Sequence, residues 1–331
     1  PPYRQAHLAT RPLVKTPAVV PSYLDTNDST QPQPEDIADS IDAPLTPDIL
    51  AKANELNYDP VKIYEFVRNT IDIEWYAGGM KGAATTLQQG SGNDVDQAAL
   101  LIALLRASNV PARYVHGVIE LPVESIANTV GLSDQARVPE FLAKAGIAHQ
   151  PLIRGGRVAA VEMEYTWVAA YVPYNNYRGA IVDASGMTWI PLAPAFKSIT
   201  NTPSAGLFTA ANLDAEQIKT NYFNAYQPQS PADHVRTELT AYLQTIDPEA
   251  VYEDQLGSRQ IVQQNAGLLP STLPFPVIAV TAENGTLNQA HQHYVRVIVR
   301  EGSHANSNIS LDTTLPVCAL AGNRVTLSYQ P

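Results

Sequence analysis

The chain has a single cysteine, Cys318, and few cations to set against its acids. One thiol excludes an internal disulfide and a thiolate metal cluster, and it leaves the redox compartment open, since an exported protein can carry one cysteine or none. Lys and Arg number 21 against 32 Asp and Glu, a net charge of -11 spread along the sequence rather than gathered in blocks. A phosphate backbone would be repelled on average, so no nucleic-acid partner is expected. No apolar run approaches the roughly 20 residues that a membrane-crossing helix needs, so no membrane span is expected either. The chain opens on Pro1-Pro2, with no initiator and no signal-peptide pattern, which reads as a processed chain or a piece of something longer. Hydrophobic residues at 45% and charged residues at 16% exclude wholesale disorder. The length of 331 residues allows one large domain or two smaller ones.

Residues 1–45 are rich in Pro, Thr, Asp and Gln without a period of two or 3.6, and read as an extended arm that wraps the domain or stays mobile. Thr46-Pro47 and Asp59-Pro60 each place an N-cap residue before a proline at the first helical position, predicting two short helices. Asp94 to Ser108 is apolar nearly all round, which predicts a helix inside the core. Pro111 stops it, and Ala112 to Leu121 reads as a strand. Ser133 to Lys144 reads as a polar helix ended by Gly146. Val158 to Pro173 and Met187 to Leu192 read as adjacent strands. Helical patterns return at Asp214 to Tyr226 and Pro231 to Ile246. Pro276 to Thr281, His293 to Val299 and Arg324 to Tyr329 are strand-like, predicting a β-rich tail.

Three ordered segments then carry a resemblance. Thr86-Leu-Gln-Gln-Gly-Ser-Gly-Asn-Asp-Val-Asp-Gln-Ala-Ala-Leu-Leu-Ile-Ala-Leu-Leu-Arg106, running on through Val110-Pro-Ala-Arg-Tyr-Val115, resembles the transglutaminase-like superfamily, where a glycine-bearing turn feeds the nucleophilic cysteine into a buried helix. Glu164-Tyr-Thr-Trp-Val168 resembles its histidine strand, and Trp189-Ile-Pro-Leu-Ala-Pro-Ala-Phe196 the strand of its aspartate. Within the superfamily the chain resembles the transglutaminase-like regions of large bacterial Rhs-repeat and related exported proteins. Asp59-Pro-Val-Lys-Ile-Tyr64, Tyr171-Val-Pro-Tyr174, Tyr177-Arg-Gly-Ala180 and Leu327-Ser-Tyr329 carry that narrower likeness. The resemblance implies an α+β fold with a papain-type core, a buried central helix packed on an antiparallel sheet, over residues 46–200. A helical and then β-rich segment would follow over 201–331. It also implies a secreted or cell-envelope setting.

The family's chemistry needs a thiolate, an imidazole to shuttle the proton and a carboxylate to orient that imidazole. Alignment on the resemblance puts Asp94, Tyr165 and Ala193 at those three positions. A carboxylate at a helix N-terminus reads first as a cap and is a weak nucleophile toward amides. Tyrosine is a poor base at neutral pH, with an ordinary pKa of about 10, and alanine orients nothing. The expectation is therefore a catalytically inactive, pseudoenzyme version of the fold that binds or scaffolds a polypeptide partner, without cofactor or metal.

The alternative is a hydrolase or acyltransferase working through the acidic pair Asp94 and Asp96. Trp75, Asp96 and Trp167 are the candidate groove residues, each weighed against ordinary packing or a first-turn acid. His291 and His293 would share a strand face and suit a metal pair, but no third ligand is evident nearby. His116 reads as a packed or solvated histidine, and Cys318, far from the motif, as a small apolar filler.

Overall fold

The computed structural model describes residues 13, 31–173, 186–202, 206–224, 228–300, 309–322 and 326, and the chain divides into two compact units, 1–198 with 261–331 and 199–260. In the first unit, α1 (Pro47–Glu55) and α2 (Pro60–Thr70) start as the sequence predicts. Thr46 accepts the Ile49 N–H and Asp59 the Val61 N–H, each ahead of a proline that has no N–H to satisfy. A short β1 (Asp72–Ile73) pairs in parallel with β2 (Ser91–Gly92), and α3 (Gly82–Gln89) lies between them. Then come α4 (Asp94–Ala107), β3 (Ala112–Pro122), α5 (Val123–Val130), α6 (Val138–Lys144), β4 (His149–Arg154), β5 (Arg157–Pro173) and β6 (Met187–Leu192). After the second unit the chain returns with β9 (Val277–Asn284), β10 (Tyr294–Arg300), β11 (Ile309–Pro316) and the one-turn α10 (Val317–Leu320).

The central sheet is antiparallel in the order β4-β5-β3-β9. The long β5 pairs with β3 over residues 160–170 on its inner edge, while its outer edge takes β4 at one end and β6 at the other. Alternation along β5 sorts the two faces. Val168, Ala170 and Val172 pack with α1 to α4, and Met163, Tyr165, Trp167 and Ala169 with α5, α6 and residues 273–280. Every residue of α4 from Val95 to Arg106 is buried, which is why its composition is apolar on all sides. Gly117 has a steric reason. A Cβ there would lie 2.4 Å from the Ala279 carbonyl oxygen and 2.8 Å from the Trp167 ring, so only glycine lets β9 close on β3.

Several expectations are corrected. The β-rich tail is not a separate body, because β9 is the edge strand of the central sheet and residues from 261 on belong to the first unit. Nonlocal pairing of this kind leaves no trace in local periodicity. The expected polar helix is split into a single turn at Gln135–Arg137 and α6. Helices α3 and α5 were not expected; the first lacks a side-chain cap and the second begins directly after β3. Residues 31–45 of the arm are fixed to the domain: Asp36 pairs with Arg113, and Asp42 accepts the Tyr114 hydroxyl. The remaining arm, apart from Leu13, and the strand expected at Arg324–Tyr329, apart from Thr326, lie outside the described residues.

The second unit holds β7 (Ile199–Thr202), paired with β8 (Ser258–Ile261), and the helices α7 (Leu207–Ala210), α8 (Ala215–Asn224) and α9 (Pro231–Ile246). Ser230 caps α9 by accepting the Asp233 N–H. The two helical patterns read from the sequence therefore fall on α8 and α9.

Arg106, in the last turn of α4, donates to four carbonyls, those of Asp36, Ala38, Ala112 and Gly285. It thus joins the arm, β3 and the end of β9 to the central helix. Arg106→Met keeps much of the stem and strands these acceptors. The expected loss is about 3–5 kcal/mol in urea unfolding, with faster amide exchange in residues 34–43 and β9 than elsewhere.

Candidate functional site

The first turn of α4 has three polar residues committed to structure and one turned to open space. Asn93 is the N-cap, accepting the Asp96 N–H at 2.9 Å and donating through Nδ2 to the carbonyls of Tyr76 and Gly78. The cap is therefore Asn93 and not Asp94, which is the first helical residue. Asp96 is buried and accepts from the Tyr76 hydroxyl at 2.5 Å and from the backbone N–H groups of Gly82, Lys81 and Met80 at 2.9, 3.0 and 3.1 Å. Gln97 donates to the carbonyls of Gly92 and Asp72. These contacts hold residues 72–82 as a wall beside the helix.

Between that wall and the sheet lies a cleft enclosing about 570 Å³ of space between atoms, its mouth included. Asp94 lines it, half-buried, with its carboxylate accepting the Thr166 N–H of β5 at 2.7 Å. Burial pushes this carboxyl up to about 7, while the N–H groups of Thr166, Asp94 and Val95 pull the other way. Tyr165 and Thr166 also line the cleft, as do Trp75 and Glu164. Burial, and next the charge of Asp94, hold the Tyr165 phenol well above the ordinary tyrosine range, so it stays protonated and offers a donor rather than a base. His116 Nδ1 is hydrogen-bonded to Thr166 Oγ1 at 2.9 Å, and its ring stacks on that of His291 with centroids 3.9 Å apart.

The structure thus brings Asp94, Tyr165 and Trp75 to one cleft. Ala193 is buried just after β6 in the apolar cluster that contains Tyr165, and it does not line the cleft. Trp167, named as a groove candidate, is wholly buried in the core against Gly117. Asp96 does not line the cleft either, since its oxygens are taken up by the wall, and the acidic pair Asp94/Asp96 does not converge on a common ligand. Cys318 sits beside Gly82 at the start of α3, and burial, followed by the charges of Asp42 and Asp96, pushes its thiol up to about 11. It is away from the cleft and protonated at neutral pH.

His291 and His293 do not act as a pair. His291 stacks on His116, whereas His293 Nε2 lies 2.6 Å from the Ala77 carbonyl oxygen. Among the described residues no group of three or more His, Cys, Asp and Glu is placed to hold a metal ion. Sequence reading missed His116 and His291 as cleft residues. Position His116 in β3, at the register opposite Thr166, was the only available signal, and the partner ring comes from a distant turn at Gln289–His291.

Residues 43–194, a little under half the chain, match the family model of the transglutaminase-like superfamily, so this span is a transglutaminase-like domain. No curated protein and no solved structure matches the chain. None of the helices among the described residues is long and apolar enough to cross a membrane.

The Asp94 carboxyl ionises near 3.9 in an unfolded chain and near 7 in the folded one, so between these values the folded state holds the extra proton. Stability therefore falls as pH rises through this window, and the deficit is complete above about pH 7. Asp94→Asn keeps an acceptor for the Thr166 N–H and removes the deficit. Thermal melts should show the variant more stable than wild type at pH 8, by about 1–4 kcal/mol, and level with it near pH 4.

Proposed function

We propose that the transglutaminase-like domain is a catalytically inactive binding module whose cleft holds a segment of polypeptide, either from another protein or from another part of a larger parent chain. The observation that carries this reading is the chemistry at the three positions where the family's resemblance calls for thiol, imidazole and carboxylate. Asp94 is an acid held by the Thr166 N–H, Tyr165 is a protonated phenol, and Ala193 has no polar group and faces an apolar cluster. The lone thiol lies elsewhere and is protonated. At those three positions no group is left to attack an amide and pass its proton on, while the cleft itself remains, lined by Asp94, Tyr165 and Trp75. The likeness to Rhs-associated regions makes a large exported bacterial assembly the setting in which such a module would work.

A second reading, a hydrolase or acyltransferase with an acidic catalytic residue, is favoured by one observation, the Asp94 carboxyl poised near neutrality in a cleft that also holds His116 and His291. It lacks the second acid, because Asp96 is committed to the wall.

The test has two arms. Purified protein should give no turnover on amide, ester and glycoside panels, and immobilised protein should enrich sequences from a displayed random-peptide library that bind wild type and not Trp75→Ala. Turnover abolished by Asp94→Asn would replace this reading with the second one. Enrichment of no peptide at all would remove the polypeptide as ligand. The triple change Asp94→Cys, Tyr165→His, Ala193→Asp is expected to bring amidase activity from none to a measurable level, which checks the register of the three positions.

A further inference from the structure

A strap from late in the chain meets the cleft through a pair of stacked imidazoles. His291 ends the single turn Gln289–His291, lines the cleft, and lays its ring on that of His116 in β3, with centroids 3.9 Å apart and planes within 8° of parallel. The strap is then tied to the wall. The Gly79 N–H donates to the His291 carbonyl at 2.7 Å, the His293 N–H donates to the Gly79 carbonyl at 3.2 Å, and His293 Nε2 lies 2.6 Å from the Ala77 carbonyl oxygen. His116 is buried and His291 half-buried, so water screens charge poorly at their contact.

Two imidazoles in face contact tolerate one proton between them and resist a second, because two stacked imidazolium rings would set like charges at van der Waals distance. The groups around the stack do not relieve that repulsion. Asp94 of α4, its carboxyl pushed up to about 7 by burial, is neutral in mildly acid solution. Glu74 on the wall is paired with Lys81, and Glu283 on β9 with Arg113. Burial pushes up the phenols of Tyr76, Tyr114 and Tyr165, which stay neutral. Glu164 of β5 is the other carboxylate among the described residues that line the cleft, and it balances one positive charge, not two. A proton on His293, against the Ala77 carbonyl, adds to the positive charge of the strap. We propose that residues 288–293 are an acid-released latch: in neutral solution the stack holds the strap on the sheet, and the second proton taken up by the His116 and His291 pair splits the stack, frees the strap from Gly79 and opens the cleft. An imidazole released to water takes its proton at an ordinary pKa of about 6.5, whereas the stacked pair resists its second one. The open form therefore binds more protons than the closed form and gains population as pH falls through about 6.5. The latch governs access to the cleft and does not depend on what occupies it.

The test is amide hydrogen exchange on the whole protein without ligand, with rates corrected for the intrinsic effect of pH. From about pH 7.5 to about pH 5.5 the protection of the Gly79 and His293 amides should fall about tenfold, as one extra proton bound by the open form requires, while Leu101 and Ile102 in α4 keep theirs. His291→Phe keeps a ring on His116 and removes one of the two protons, so in that variant protection at the same two amides should not change with pH. A carbon-13 titration of the wild-type histidines needs no variant: His116 and His291 should take up their protons in two steps, the second coinciding with the loss of protection. The proposal is overturned by protection at Gly79 and His293 that is indifferent to pH, or by an equal loss in α4, which would be general acid unfolding. It is overturned equally by the same tenfold loss in His291→Phe, or by both imidazoles charging while the two amides stay protected.

Discussion

A carboxylate that never meets the cleft determines its shape. Asp96 lies in the first turn of the most buried helix of the domain and takes four hydrogen bonds from residues 76–82, three of them from consecutive backbone N–H groups. Hydrogen bonds to an ionised acceptor are about twice as strong as neutral ones, and a buried carboxylate deprived of its donors is among the costlier defects a fold can carry. The wall that presents Trp75, Tyr76 and Gly78 to the cleft is therefore tied directly to the first turn of α4. Burial pushes the Asp96 carboxyl upward, and the Tyr76 hydroxyl and the N–H groups of Gly82, Lys81 and Met80 pull the other way.

The opposite end of α4 carries the complementary device. Arg106 gathers carbonyls from the arm, from β3 and from the turn after β9, segments far apart in sequence. Arg113, one strand over, repeats the theme by pairing with Asp36 and Glu283 while its guanidinium stacks on Trp189 at 3.8 Å. The apolar middle of the helix supplies burial, and its two charged ends decide which loops meet it. Residues far outside the family-like span thereby complete its sheet, and the domain does not end where the resemblance does.

How much of this was legible follows from where the information sits. α4 could be read because its cap, its continuous apolar run and the terminating Pro111 are all local. β3, β5 and β6 could be read because alternation is local too. α3 was hidden: its sequence is rich in glycine, alanine and threonine, and its first N–H groups are satisfied by Asp96 and by the Asp42 carbonyl, partners outside the helix. Gly82 itself adopts a positive φ of 65°, a turn signal that reads against a helix. Asp94 and Tyr165 could be placed from the register of the motif, but the stacking of His116 on His291 depends on a turn far along the chain, and Trp167 reads from sequence as a groove aromatic although the close approach of Gly117 takes it into the core.

The same contrast bears on what the cleft is for. A site that has lost its chemistry is free, on stability grounds alone, to fill with apolar side chains, since replacing buried polar groups by hydrocarbon of similar shape is commonly neutral or favourable. Ala193 follows that course, buried within its cluster. Asp94, Trp75 and Tyr165 do not: one is an acid whose ionisation burial resists, and the other two hold donors with nothing inside the described structure to receive them. The three share one cleft, although Arg68 Nη1, Thr86 Oγ1 and Gln97 Oε1 are likewise buried without a partner among the described residues. The cleft therefore keeps a polar lining that stability alone does not require, and that lining is what supports reading it as a binding site.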